Sequence, residues 1–291
     1  MDSTATQSAA PSAAQPPPRR KGRQAVLEVK GKTRLSPRLL RVTLGGEQYP
    51  ELNRNEATDA YVKLLIASPA SGLQPPYDLD AIREQSPELL PARRTYTVRH
   101  WDDDARTLDI DVVLHGSEQD AGVAARWADE ALPGDRIAVT GAGGGYSPAP
   151  RTDTHLLIGD HAALPAIAAA LESMDPSARG RALIHLDHEE DVLDLEHPEG
   201  IEVEWVIGRR EQLLAKVEAL DLSDPERFQV FCHSERALTK QLRAVLIKQA
   251  GIGRDQISIS AYWALGRIED QFQAEKREPI GRIDDPDDAS G

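Results

Sequence analysis

The feature that most constrains the fold is a change of rhythm near residue 150. Before it, short segments rich in Val, Leu, Ile, Tyr and Thr are bounded by Gly, Pro, Asp and Asn, which predicts β-strands. After it, short apolar strands alternate with helical patterns, which predicts a parallel sheet covered by helices. The 291 residues are enough for two such domains, one following the other.

The first half predicts a six-stranded antiparallel barrel of the Greek-key kind. One helix, over Gly122–Leu132, interrupts the strands and is stopped by Pro133-Gly134-Asp135. The predicted strands are Ala25–Lys30, Leu39–Leu44, Ala60–Ala67, Arg94–His100, Thr107–Leu114 and Arg136–Thr140.

The second half predicts a doubly wound parallel α/β domain, with helices on both faces of its sheet. The predicted strands are His155–Gly159, Arg181–Leu186, Glu202–Ile207, Phe228–Cys232 and Ile257–Tyr262, and the predicted helices are Leu164–Met174, Glu211–Leu220 and Glu235–Ala250. Both ends of the chain lack an apolar pattern that would join a core, so both are predicted to be tails. The domain prediction is a disordered tail at 1–24, a barrel at 25–148, an α/β domain at 149–270 and an acidic tail at 271–291.

Charge and cysteine content exclude several classes of function. The formal charge is −14, which argues against a general nucleic-acid binder and against an anionic membrane surface as the main partner. The single cysteine, Cys232, excludes an intramolecular disulfide and a multi-thiolate metal site. No segment is apolar enough to predict membrane insertion or a secretory signal. These features are compatible with a cytoplasmic protein.

The strand motif Arg94-Thr95-Tyr96-Thr97-Val98-Arg99 is the first candidate for binding. Alternation places Arg94, Tyr96 and Val98 on one face of the strand and the other three side chains on the opposite face. A guanidinium and a flat aromatic ring two residues apart suit a cofactor that carries a phosphate and a flat ring. The structural alternative is a half-buried strand with a solvated arginine.

Four other motifs follow strands or open helices. Asp111 to Gly116 ends at a glycine that lets a ligand approach the backbone. Gly122 to Trp127 leaves free amide groups at a helix N-terminus, a suitable site for phosphate. Gly141 to Tyr146 allows unusual backbone geometry and also fits a domain linker. Gly159-Asp160 stands at a strand end, where doubly wound domains bind ligands, but lacks the dinucleotide glycine fingerprint. Each motif alone also has a purely structural explanation.

Taken together and in this order, the motifs resemble the siderophore-interacting protein family, which are flavin-binding ferric-siderophore reductases of the ferredoxin-reductase-like superfamily. The resemblance runs from about Ala25 to Glu269 and includes Asp59 to Leu65, Pro133 to Arg136 and Tyr262-Trp263. It implies an FAD-binding barrel followed by an NAD(P)H-binding domain. Electrons would pass from NADPH or NADH through FAD to the ferric iron of a siderophore, which would release the iron as Fe(II).

The resemblance also implies roles for individual residues. Arg94 would hold the FAD pyrophosphate, Tyr96 would stack on the isoalloxazine ring, and Thr97 would face the reactive edge of that ring. The remaining cofactor-binding residues are His115 and Gly116 lining the FAD site, Ala124 and Ala125 at the pyrophosphate, Gly143, Gly144, Gly145 and Tyr146 closing the cavity, and Gly159 and Asp160 in the nucleotide half. No catalytic acid–base residue and no metal site are predicted.

The nucleotide half departs from the family pattern. His161-Ala162 replaces the usual Glu-Thr, Cys232-His233-Ser234-Glu235 replaces a strand end in Ala-Gly-Glu, and Ala264 replaces an Arg or Lys. The leading hypothesis is an FAD-dependent, NAD(P)H-linked reductase of ferric siderophores in the cytoplasm. The alternative is a flavin-binding siderophore carrier or redox sensor that has lost efficient nicotinamide turnover. A third possibility keeps the enzyme but changes the acceptor to a quinone or a free ferric chelate.

Overall fold

The computed structural model describes residues 23–114 and 122–283. His115 and Gly116, both predicted to line the flavin site, lie outside the described residues, as do residues 1–22 of the predicted N-terminal tail. In the described ranges, no helix is long and apolar enough to cross a bilayer.

The first half forms the predicted antiparallel barrel. The strands are β1 (Gln24–Ser36), β2 (Leu39–Gly45), β3 (Tyr61–Ile66), β4 (Ala92–Asp102), β5 (Thr107–Val113) and β6 (Arg136–Gly143). They close in the order β1-β2-β5-β4-β3-β6. Side chains that alternate along the strands fill the interior, including Leu27, Val42, Leu64 and Ile110, all of them fully buried. Between β5 and β6, helix α2 (Val123–Glu130) adds Ala124 and Ala128 to the same core. A short helix, α1 (Leu79–Gln85), precedes β4 and was not predicted.

Strand β4 changes its partner halfway along its length. From Ala92 to Thr97 it pairs with β3, and from Val98 to Asp102 it pairs with β5. Among the described residues, no strand pairs with the second edge of residues 92–97. This segment, which we call the β4 edge, therefore presents backbone amides that need other acceptors.

The second half is a parallel sheet covered by helices, as expected for a doubly wound domain. The elements of this domain are β7 (Thr154–Asp160), α3 (Leu164–Ser173), β8 (Gly180–Leu186), β9 (Ile201–Ile207), α4 (Glu211–Glu218), β10 (Phe228–Glu235), α5 (Arg236–Arg243) and β11 (Ile257–Trp263). The strand order is β11-β10-β7-β8-β9. The chain moves outward from β7 to β9 and returns to place β10 on the other side of β7, so the topological switch point lies between β7 and β10. Helix α3 packs on the face toward the barrel, and α4 and α5 pack on the other face.

A last helix, α6 (Glu269–Glu275), follows the sheet. Phe272 on this helix is 1% exposed and packs with Ala261, Ala264 and Ile283. The acidic tail predicted from residue 271 is therefore wrong for the segment up to Ile283. The apolar side chains of this segment are too widely spaced to give a helical pattern, and Phe272 is buried because residues at and just after the end of β11 lie beside it.

Two groups of polar contacts join the barrel to the α/β domain. Asp191, which is buried, accepts hydrogen bonds from the Ser36 hydroxyl at 2.7 Å and from the Arg38 guanidinium at 2.9 Å. Arg99 on β4 forms an ion pair with Glu172 on α3. The first group fixes the turn between β1 and β2 to the α/β domain, and the second fixes β4 to α3.

Candidate functional site

The donors of the β4 edge are bound by the first turn of α6. The Arg94 side chain is 12% exposed, and its Nη1 donates to Asp270 Oδ2 at 2.9 Å. The backbone amide of Thr95 donates to Glu269 Oε1 at 3.2 Å. Two carboxylates thus lie on the donors of the strand that carries the predicted flavin residues.

Side chains further along β4 alternate as the sequence predicted. Tyr96 and Val98 pack with the barrel core, while Arg99 faces α3. Burial and the charge of Glu269 raise the pKa of Tyr96 well above its usual value, so its ring is a neutral, partly buried plate beside α6.

Thr97 connects the β4 edge to the α/β domain. It is buried beside Tyr262 on β11, whose pKa is raised by burial and lowered to a smaller extent by the Thr97 side chain. The Tyr262 ring lies 4.6 Å from the His233 ring, and the His233 ring stacks on Phe231 at 4.2 Å between centroids. Tyr146 completes this aromatic row at 5.0 Å from Phe231. The row places Thr97, which was predicted to face the reactive edge of the flavin ring, next to the switch point of the sheet.

His233 is the histidine of this aromatic row, and its pKa is strongly lowered. It is 4% exposed, and burial lowers its pKa to about 3, so the imidazole is neutral at physiological pH. Its Nε2 contacts Ser258 Oγ at 3.0 Å, whereas its buried Nδ1 has no hydrogen-bond partner among the described residues. The ring acts as a fixed plate between Phe231 and Tyr262.

Helix α2 presents the free amides that the sequence predicted for phosphate. Ala124 and Ala125 are each 5% exposed and lie in the first turn after Gly122. The first amides of a helix have no acceptor within the helix, and they carry a partial positive charge. A phosphate at this helix end would receive backbone hydrogen bonds with little steric hindrance.

The glycine segment after β6 has a structural task in this fold. A Cβ at Gly143 would lie 2.3 Å from Tyr61 Cζ, so only glycine fits against that ring. The amides of Gly145 and Tyr146 donate to Asp59 Oδ1 at 2.8 and 2.9 Å. At Gly144 the φ angle is +133°, a conformation that favours glycine. The segment joins the barrel to Phe231, and its role in closing the flavin cavity stays a prediction.

At the carboxyl edge of the sheet, Asp160 joins three strand ends. The side chain is buried, and Oδ2 accepts from the Glu235 amide at 2.9 Å and from Trp263 Nε1 at 2.8 Å, while Oδ1 accepts from the Ala162 amide at 3.0 Å. Burial raises the pKa of Asp160 against the effect of these donors. Asp160 therefore positions the edge of the nucleotide half, and its direct contact with a cofactor stays a prediction.

Gly159 and Glu235, which both lie next to Asp160, also fix the structure of this edge of the sheet. A Cβ at Gly159 would lie 2.7 Å from Ala163 Cβ, so glycine lets α3 start close to β7. Glu235 caps α5 by accepting from the amides of Ala237 and Leu238, and it also accepts from the Leu265 amide. The capping role of Glu235 was missed. A carboxylate directly before a helical run was the available signal.

Two of the positions that depart from the family pattern, His161 and Ala264, have different surroundings. His161 is partly buried and has no partner for Nε2 among the described residues, and burial lowers its pKa. Ala264 is 3% exposed and contacts the cluster around Phe272. Arg210 lies over the Trp263 ring at 5.3 Å, at the end of β9, so a guanidinium does stand at this edge of the sheet.

These residues fit FAD. A pyrophosphate needs cationic and amide donors, which Arg94 and the first turn of α2 supply, and a flat ring needs a plate such as Tyr96. At the β4 edge, two of the available donors are held by carboxylate oxygens, and the flavin offers acceptors of the same kind in its phosphates and ring carbonyls. The buried Thr95 Oγ1 also lacks a partner among the described residues.

A barrel of this kind followed by a doubly wound domain is the ferredoxin-reductase-like fold. A ferredoxin–NADP⁺ reductase of Plasmodium falciparum shares the fold, with a TM-score of 0.61 over 82% of this chain and 96% of that one, at 12% identity. The chain belongs to the siderophore-interacting protein family. The siderophore-interacting FAD-binding domain matches residues 28–146, and the siderophore-interacting protein domain matches residues 152–266. FAD is accordingly its cofactor.

Individual relatives cover almost the whole chain. An uncharacterized protein of Mycobacterium tuberculosis is 37% identical over 268 residues, which is 86% of this chain and 94% of the relative. The ferric vibriobactin reductase ViuB of Vibrio cholerae is 33% identical over 264 residues, 86% of this chain and 93% of the relative. The crystal structure of the siderophore-interacting protein SipS from Aeromonas hydrophila aligns with a TM-score of 0.73 at 28% identity, covering 89% of this chain and 98% of that one.

Proposed function

We propose that this protein is an FAD-dependent, NAD(P)H-linked reductase that takes ferric siderophores as substrates and releases their iron as Fe(II) in the cytoplasm. The observation that carries the proposal is the β4 edge, where Arg94, the Thr95 amide and Tyr96 offer donors and a flat plate on one strand. The 33% identity with a protein named ferric vibriobactin reductase supports the choice of substrate class. Bound FAD would accept electrons in pairs and pass them to Fe(III) one at a time.

The chain's own residues would bind and orient the cofactor. Arg94 and the amides of Ala124 and Ala125 would hold the pyrophosphate, and Tyr96 would support the ring from the barrel side. Thr97 would lie beside the ring edge, where it is buried next to Tyr262. The barrel core behind Tyr96 would exclude water from that face of the ring.

The nicotinamide nucleotide would bind at the switch point between β7 and β10. Asp160 and Glu235 keep the loops around this point in a fixed arrangement through six hydrogen bonds from N–H groups. Arg209 and Arg210 follow β9, and a 2′-phosphate would find the Arg210 guanidinium over Trp263. This arrangement suits NADPH, and NADH remains the alternative donor.

Positive charge near the flavin would favour an anionic ferric chelate. Lys276, just after α6, interacts electrostatically with Lys63 on β3 as well as with Glu269. Lys63 Nζ also lies 6.0 Å from the centre of the Tyr61 ring. These two lysines were not among the predicted site residues: Lys63 lies in the Asp59 to Leu65 stretch of the resemblance, but no binding role was assigned to either lysine.

A second candidate function is a flavin-binding siderophore carrier or redox sensor that reacts poorly with nicotinamide nucleotides. The observation that favours it is the close packing of the nucleotide half at two positions that depart from the family pattern, His233 and Ala264, which are both buried in packed clusters. Small displacements of two rings from near-attack geometry cost about a hundredfold in rate.

The test is an anaerobic reaction of the purified flavoprotein with NADPH or NADH and a ferric catecholate or ferric hydroxamate, in the presence of a Fe(II)-specific chelator. The reductase should bleach its flavin with at least one nicotinamide and release two Fe(II) per nicotinamide oxidised. Bleaching by dithionite but by neither nicotinamide would favour the carrier or sensor. A purified protein that holds no flavin and takes up no added FAD would exclude both functions.

A further inference from the structure

The first turn of α6 lies where the polar groups of FAD are proposed to bind. Asp270 Oδ2 is 2.9 Å from Arg94 Nη1, and Glu269 Oε1 is 3.2 Å from the Thr95 amide. Glu269 also acts on Tyr96, whose pKa it raises after the larger effect of burial. All three contacted groups are ones that the proposed function assigns to the flavin.

The rest of α6 is fixed to the α/β domain. Phe272 is 1% exposed against Ala261 and Ala264, and Glu275 accepts from Arg236 and Arg267, each at 2.5 Å. Because these contacts lie at the far end of the helix, they hold the two acids near β4 without involving the β4 edge itself. The contact between α6 and β4 therefore connects two elements, each of which is held in place by other contacts.

The acids and a flavin pyrophosphate compete for the same donor. A phosphate oxygen on Arg94 would lie next to the Asp270 carboxylate, and like charges at such a distance repel. The Asp270 side chain is 56% exposed, so its ion pair with Arg94 contributes little free energy and is easily replaced. A partner that is weakly bound and of the same charge as the ligand is suited to give way to it.

We propose that Glu269 and Asp270 form an acidic latch that occupies the flavin-binding donors of the FAD-free protein and leaves them when FAD binds. The proposal rests on the proposed function, because it takes Arg94 and Thr95 as flavin contacts. The latch lowers the apparent affinity for FAD, since only the fraction of molecules with the latch open binds the cofactor. It also shields Arg94 from other anions while the cofactor is absent.

The experiment measures FAD affinity of the full-length protein after its flavin has been removed. Flavin fluorescence titrations compare wild type with Asp270→Asn, Glu269→Gln and the double variant. Glu278→Gln is the matched control, because it removes the same charge from an exposed residue beyond α6. We expect FAD to bind about threefold to fivefold tighter to Asp270→Asn and about tenfold tighter to the double variant, with the control unchanged. Equal or weaker binding by the double variant would overturn the latch.

Amide hydrogen exchange of wild type gives a second readout that needs no substitution. Peptides covering residues 269–275 should exchange faster once FAD is bound, because the latch has lost its contacts with β4. Slower exchange would mean that α6 closes over the cofactor, which contradicts the proposal. If FAD binds and ferric chelates are reduced but the affinities do not change, only the latch fails. If no protein binds FAD, the proposed function fails with it.

Discussion

The β4 edge of the barrel and the carboxyl edge of the parallel sheet use their polar groups in opposite ways. At the β4 edge, Arg94 and the Thr95 amide are paired with the acids of α6, and the Asp270 carboxylate is largely exposed. At the sheet edge, Asp160 and Glu235 are buried, and each accepts hydrogen bonds from three N–H groups of neighbouring strand ends, loops and the first turn of α5. The first edge has replaceable partners, whereas the second is part of the framework.

The difference teaches where a change of sequence acts on binding and where it acts on the fold. Ala264, one of the family departures, is packed against the Phe272 cluster. An arginine at this position, which the family pattern suggests as a source of positive charge, would need to displace α6 before it reached the flavin. Substitutions at the sheet edge are therefore expected to change stability, and substitutions at the β4 edge are expected to change flavin binding.

The largest expected effect is that of Asp160→Asn on stability. The substitution puts an amide NH₂ among three N–H donors, so we expect a loss of about 2–4 kcal/mol in the free energy of unfolding. Urea unfolding measures it. Asp187→Asn is the control, since the Asp187 side chain is 73% exposed at the neighbouring strand end and should change stability by less than about 0.5 kcal/mol. Equal stabilities of the two variants would remove the distinction between framework and binding edge.

The second effect separates Arg94 from Arg99 on the same strand. A charge-assisted hydrogen bond to phosphate is worth about 1.5–3 kcal/mol, or roughly ten- to a hundredfold in affinity. We expect Arg94→Ala to weaken FAD binding toward the lower end of that range, because Arg94 already has Asp270 as an acceptor in the FAD-free protein. Arg99→Ala removes a pair with Glu172 and should leave FAD affinity unchanged. The same flavin content in both purified variants would contradict the proposed role of Arg94 in binding FAD.

The third effect is a pH dependence of stability that comes from the aromatic row. The folded protein keeps His233 neutral down to a pKa of about 3, whereas unfolded histidine titrates near 6.5. The stabilisation is therefore complete above pH 6.5 and is lost as the pH falls, by at most about 1.4 kcal/mol per pH unit for this histidine. Unfolding free energies of wild type and His233→Phe between pH 7.5 and 5 measure the two slopes, and the variant should have the flatter one. Parallel slopes would place the acid sensitivity elsewhere.

The smallest effect is expected at the N-terminus. Residues 1–22 have no apolar pattern that would join a core, so their removal should leave the melting temperature and the flavin content unchanged. Thermal melts of full-length and truncated protein test this, with the cut placed before Gln24, whose side-chain amide donates to the Tyr77 carbonyl. A clearly lower melting temperature would show that this segment docks on the described part of the chain.

Most of the fold was predictable because its signals are local. Strand alternation such as that of Ile110 and Val112, and helical spacing such as that of Leu213 and Val217, follow from which face each element buries. The faces of β4 were predictable for the same reason. Helix α6 was not, because Phe272 is the one large apolar residue of the helix and gives no apolar stripe, so its burial against Ala261 and Ala264 is visible only in the fold.

The residues of the candidate site also divide into those that local sequence predicts and those that only the fold brings together. The residue types of the motif around Arg94 and Tyr96 suggested a cofactor with a phosphate and a flat ring, and the family resemblance made that cofactor a flavin. The pairing of Arg94 with Asp270 joins residues 176 positions apart in the sequence, so only the fold brings them together. The same holds for Thr97 with Tyr262. Asp160 stood out as a site residue, but its three donors come from the loop after β7, from β10 and from β11, and that framework role is visible only in the assembled sheet edge.

The central claim is that the flavin half reduces ferric siderophores whatever the nucleotide half does. The most direct measurement is a single turnover without any nicotinamide: photoreduced holoprotein is mixed anaerobically with a ferric siderophore, and flavin absorbance and chelated Fe(II) are followed together. The account predicts that the flavin is reoxidised and that two Fe(II) appear per flavin, because each reduced flavin carries two electrons and each Fe(III) accepts one. A flavin that stays reduced, or that is reoxidised without release of Fe(II), would contradict it.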